Sequence, residues 1–217
     1  MVGEESSREL RIYVAIAIFV IVVVIFGVLF GNSNFTQAYV DDSVITNGWC
    51  ENPDERDSGF QLLGFERFGS YTYRVNGEFP AYLTITTMKT LVMMNENELR
   101  DKVIESIEKS LDNGTALDNS SKLIGSRVLK NEHKTIFIIF NGTDNSKTLS
   151  ENIKIVGEVW NCGRSGTSIV CIGVAHVGHN SKIDETNWNK MVRDKEGTFG
   201  TGELQGEDGL IYNVICH

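Results

Sequence analysis

From Ile12 to Phe30 the chain reads IYVAIAIFVIVVVIFGVLF, with no charged residue and no strong polar group. A run of about 19 residues makes roughly 28 Å of helix, enough to cross a hydrocarbon core. Its Val and Ile content would suit a buried strand, but the run is too long for one. In lipid only a helix satisfies its own backbone groups, so the segment is expected to be helical. A secretory leader has an apolar region of about 7–15 residues ending at small residues. Here the run is longer and Leu29, Phe30, Gly31 and Asn32 follow, which makes a poor cleavage site; Thr36-Gln37-Ala38 lies well beyond it. The expectation is an uncleaved transmembrane signal-anchor over residues 12–31.

The flanks orient it. Arg8 and Arg11 precede the run, and no Lys or Arg follows until Arg56. Basic residues stay in the cytoplasm, so the N-terminus is expected inside and the remainder outside. The predicted layout is a cytoplasmic tail over 1–11, the lipid bilayer as partner of 12–31, a polar stalk over 32–58, and an extracytoplasmic α+β domain over 59–217. The net charge of −9 over 217 residues argues against nucleic acid as a partner, because phosphate binding needs a basic stripe. It argues equally against lying flat on anionic lipid.

All four cysteines, Cys50, Cys162, Cys171 and Cys216, fall after the run. An even number in an oxidising compartment predicts two disulfides, with the pairing open. A four-thiolate metal site would want cysteines two to four residues apart, and no such pair exists. The Asn-x-Ser/Thr sequons at Asn34, Asn113, Asn119 and Asn141 also follow the run and are glycosylation candidates.

Beyond the stalk, alternation around Asn76-Gly77 predicts a hairpin of Ser70–Val75 with Glu78–Leu91. Asn95 with Glu98 resembles a capping box, and Leu99, Val103, Ile107 and Leu111 form one apolar stripe, so a helix ending at Gly114 is expected to pack on a sheet. Two strands flank Asn131-Glu132-His133. ENIKIVGEVWNC and TSIVCIGVAHVG make a further hairpin through Gly163–Gly166. If the turn has four residues, Val159 stands opposite Val170, Gly157 opposite Ile172 and Ile155 opposite Val174, on one apolar face; a looser turn, shifting the pairing by four, would keep the faces and set Cys162 opposite Cys171. Trp160, Cys162, Ile169 and Cys171 lie on the other face, with Glu158. A short helix is expected over Glu185–Asp194, and GLIYNVICH closes as a strand. The order β-β-α-β-β-β-β-α-β describes an antiparallel sheet with one main packed helix and a second short one.

No nucleophile elbow, phosphate loop, dinucleotide fingerprint or H-E-x-x-H occurs, so no catalytic residue and no cofactor are predicted. GRSGTS falls in a hairpin turn. GTGELQGEDG is Gly-rich but leads into no helix. DNGTALDNS offers oxygen ligands without the calcium-loop spacing. His176, His179 and His217 are the candidate metal ligands, on the condition that the chain turns at Gly178, since strand residues three apart point to opposite faces.

The helix after a first hairpin, followed by a four-strand meander over about residues 60–216, resembles the PsbP-like α+β sandwich. That resemblance implies a non-catalytic binding or assembly factor and carries no site residue across. The anchored, sequon-bearing layout with GEVWNCGRSGTSIVCIG also resembles archaeal envelope proteins of uncharacterised role. The expected function is a membrane-anchored, non-catalytic binding or assembly module with a protein partner in the envelope. The alternatives are a metal-binding or enzymatic ectodomain using the three histidines, and a structural subunit of a larger membrane complex.

Overall fold

A computed structural model describes residues 35–61, 66–90, 93–110, 115–145, 150–178 and 185–217. The expected span at 12–31, and with it Asn34, Asn113 and His179, lies outside these residues. Among the described residues no helix is long and apolar enough to cross a membrane.

The strands are β1 (Tyr39–Val40), β2 (Cys50–Glu51), β3 (Asp57–Gln61), β4 (Glu66–Val75), β5 (Ala81–Lys89), β6 (Thr115–Val128), β7 (Lys134–Asp144), β8 (Glu151–Cys162), β9 (Thr167–Val177) and β10 (Val214–Ile215). Among the described residues two α-helices join them, α1 (Glu96–Ser110) and α2 (Thr186–Val192). The architecture is α+β, as expected: a mostly antiparallel sheet with two helices. The main sheet runs β2-β4-β5-β9-β8-β7-β6, with β3 also on the outer side of β4. The pair β1-β10 forms a small second sheet.

The hairpin of β8 and β9 has the register of a four-residue turn, not the looser one shifted by four. Val159 faces Val170, Gly157 faces Ile172 and Ile155 faces Val174. Both faces of this hairpin are buried. On one, Ile155 and Val159 meet Leu99, Val103 and Ile107 of α1. Asn95 starts that helix by accepting the Glu98 N–H at 2.9 Å. Gly157 lets the helix come close, since a Cβ there would stand 2.5 Å from Val103 Cγ1. On the other face, Trp160, Ile169 and Cys171 pack with Met191 and Val192 of α2 and with Leu210 and Ile211. Gly173 plays the matching part there, its missing Cβ replaced by the Met191 sulfur.

Residues 36–58, expected as a polar stalk, belong instead to the compact unit that runs from Thr36 to His217. Ala38 and Val40 are wholly buried and Trp49 is nearly so. The segment covers the sheet face opposite α1, where apolar area would otherwise face water. Ala38 N–H donates to Thr87 Oγ1 at 2.7 Å and Val40 N–H to the Tyr73 hydroxyl at 3.0 Å. The final strand is shorter than expected. Ile211–Asn213 form a 3₁₀ turn, and only Val214 and Ile215 pair, with Val40 and Tyr39.

Candidate functional site

One end of the sheet gathers two cysteines and two histidines that lie far apart in sequence. The ladder of β7 with β8 runs to Ile136 opposite Val159. Continued by three residues, the same register sets His133 across from Cys162. His133 ends a tight turn in which Glu132 takes φ 66° and its N–H donates to Leu129 O at 2.9 Å. Cys162 ends β8, where its carbonyl accepts the Gly166 N–H at 2.9 Å.

The 212–217 segment is then drawn onto this end by the β6–β7 turn. Lys130 N–H donates to Tyr212 O at 3.2 Å, Lys130 Nζ to Asn213 Oδ1 at 2.9 Å, and Asn131 Nδ2 to Val214 O at 3.0 Å. Cys216 and His217 thereby reach His133 and Cys162. One ligand atom from each of the four lies within 4.8 Å of every other.

His217 Nδ1 stands 3.5 Å from each of the two sulfurs. The His133 and His217 rings meet edge to face, with centroids 5.7 Å apart. Cys162 and Cys216 are almost wholly buried. Among the described residues His133 Nε2 is buried without a hydrogen-bond partner. Burial works against the Cys162 thiolate, but the Ser165 hydroxyl and N–H, the Cys216 thiol and the Arg164 N–H outweigh it and lower the thiol's pKa. Burial, and then the neighbouring Cys162, push Cys216 up to about 12. Burial also lowers His133, followed by the nearby charges of His217 and Arg164. Two sulfurs and two imidazoles at this spacing form a donor set for a soft or borderline metal.

The expected trio of histidines is not assembled. His217 joins the cluster above, whereas His176 pairs with Ile153 at the far end of β8, roughly 30 Å along the strand from Cys162. There its Nδ1 lies 2.7 Å from Glu151 Oε2. His133 carries no signal of its own in the sequence because it sits in a turn; the β7–β8 register is the feature that points to it.

Nor are two disulfides formed, since all four cysteines are free thiols. Cys50 is exposed on β2 opposite Arg74. Cys171 is wholly buried and faces Glu158 across the hairpin. Of the sequons, Asn119 on β6 and Asn141 on β7 are exposed.

Two other places carry polar chemistry. Arg127, Glu158 and Asp194 form a buried ionic triad. The guanidinium donates to both Glu158 oxygens, at 2.9 and 2.6 Å, and to Asp194 Oδ2 at 3.0 Å. Thr135 adds its hydroxyl to Glu158, and the Phe199 ring lies 4.8 Å beneath the guanidinium. Every charge in the triad is answered, which marks a structural network. A cleft of about 510 Å³ lies beside Leu117, Asn141, Ile153, Lys154 and Glu185. Of its three charged residues, Lys154 and Glu185 are bonded to each other at 2.8 Å, and Asp118 is held by Ser120.

The outer edge of β6 is different in kind. β6 ends the main sheet, and among the described residues no strand pairs with that edge. Leu123 (54 % exposed), Ile124 (47 %) and Val128 (54 %) are uncovered there. By alternation Ile124 and Val128 share one face and Leu123 takes the other. No family model, no curated protein and no solved structure matches the chain.

Proposed function

We propose that the chain is a single-pass membrane protein with a cytoplasmic N-terminus, whose external domain is a non-catalytic binding or assembly module. It captures an extended segment of another envelope protein along β6. The observation that carries this reading is the β6 edge, with which no strand pairs among the described residues, and the apolar side chains uncovered on its two faces. An added strand would pair with that edge and cover Leu123, Ile124 and Val128 together. The apolar run at 12–30 and the arginines before it support the anchor and its direction. The acidic net charge favours a protein over nucleic acid or anionic lipid as the partner.

The test is a photo-crosslinking amino acid placed at Ile124, at Val128 or, as a control, at exposed Glu105 of α1, in the full chain in its native membrane. Adducts to a different protein at the two β6 sites and none at Glu105 support the reading. Equal adducts at all three sites, or an adduct joining two copies of this chain, contradict it.

A further inference from the structure

We propose that His133, Cys162, Cys216 and His217 hold one zinc ion in a closed, four-ligand site that fastens the 212–217 segment to the sheet. This inference is independent of the β6 edge and of the anchor.

The donor set comes first. Two thiolates and two imidazoles are among the standard ligand sets of structural zinc. Hard cations such as calcium and magnesium take oxygen ligands, and no carboxylate is in the cluster. Distances follow. Zn–S bonds near ~2.3 Å and Zn–N bonds near ~2.0–2.1 Å at tetrahedral angles place sulfur and nitrogen about 3.5 Å apart. Both sulfurs stand 3.5 Å from His217 Nδ1. Those two edges already have the length that a central ion would impose. The other members lie within the 4.8 Å limit.

A third, separate observation is the orphaned nitrogen. A buried polar atom without a partner is rare, and each one calls for an explanation. His133 Nε2 is such an atom, and a metal ion supplies what it lacks.

The surroundings fit a bound thiolate pair. The Asn131 amide lies 3.8 Å from Cys216 Sγ. The Trp160 indole N–H is buried with no hydrogen-bond partner among the described residues. Such outer contacts orient ligands and temper their charge. With both sulfurs buried and four protein ligands supplied, no position stays open for substrate, so the site is structural.

Its consequence runs through β10. Val214 and Ile215 pair with Val40 and Tyr39, and only two residues hold each strand of that sheet. A zinc bound immediately after β10 fixes it in place, and with it the segment by which the chain enters the compact unit.

The test is made on the full chain, purified in detergent without added metal or chelator. Elemental analysis is expected to find one zinc per chain. Replacing zinc by Co²⁺ should give thiolate-to-cobalt charge-transfer absorption. In the folded wild type, Cys162 and Cys216 should resist alkylation until a strong chelator is added, while Cys50 reacts at once. Cys216→Ser should lower retained zinc at least tenfold, and Cys171→Ala should leave it unchanged. If the serine variant does not fold, the wild-type alkylation pattern still decides. A Cys162–Cys216 disulfide peptide in an unreduced digest overturns the proposal. So does a folded chain without zinc whose two thiols alkylate freely.

Discussion

Gly157 shows how much one missing methyl group sets. On β8 it lets α1 come close, since a Cβ there would stand 2.5 Å from Val103 Cγ1. Gly157→Ala should destabilise the domain by about 1–3 kcal/mol, the usual range for overpacking, as measured by urea unfolding. Arg127 matters more. Its charge is wholly enclosed by Glu158 and Asp194, and removing one member of a buried pair leaves an unanswered charge. Arg127→Met should cost about 3–5 kcal/mol in the same measurement.

Asp194 carries a pH dependence. Burial raises its pKa, but the Thr198 N–H and Arg127 outweigh burial and hold the carboxyl below its ordinary value. A carboxyl lowered in the folded state stabilises fully above its unfolded pKa, near ~4. That contribution is lost as pH falls through the folded value. Asp208 behaves alike, with burial opposed by the bond from Lys190. The contribution of these two carboxyls should therefore be level above about pH 5 and fall below about pH 4. Asp194→Asn should flatten that fall.

Among the elements, those with a local period were legible. Leu99, Val103 and Ile107 recur every turn, and Asn95 caps the helix as its spacing suggests. Asn95→Ala should cost about 0.5–2 kcal/mol, read as a lower midpoint in urea. Alternation fixes the faces of β8 and β9 but allows two registers four residues apart, and the four-residue turn selects the one found. What was not legible had no local period. β1 and β10 are two residues each, and only their mutual pairing across the whole fold makes them strands. The 36–58 segment is polar in composition, and the few side chains it buries, Ala38, Val40, Val44, Trp49 and Asn52, are too scattered to give it an apolar pattern. The Cys₂His₂ cluster draws on two turns and the 216–217 dipeptide, so no spacing rule could reach it. The edge of β6 is an element-level prediction as well. Ile124→Lys should change stability by less than about 0.5 kcal/mol, as an exposed position does, yet it should abolish crosslinking from Val128.

For the whole molecule everything turns on where the domain stands. Its cores are built on both faces of one sheet, and its proposed partner lies at one edge of that sheet. Both statements acquire a cellular meaning only if residues 12–31 hold the chain in lipid with the domain outside. No Lys precedes that run, and Lys109 and Lys195 are exposed on the domain. A membrane-impermeant amine reagent applied to intact cells, followed by an alkaline carbonate wash of the membranes, reads both points together. Domain lysines are expected to be labelled before lysis, and the labelled chain to stay with the washed membrane. Labelling that appears only after lysis, or release of the chain into the wash, would contradict an anchored, outward-facing domain.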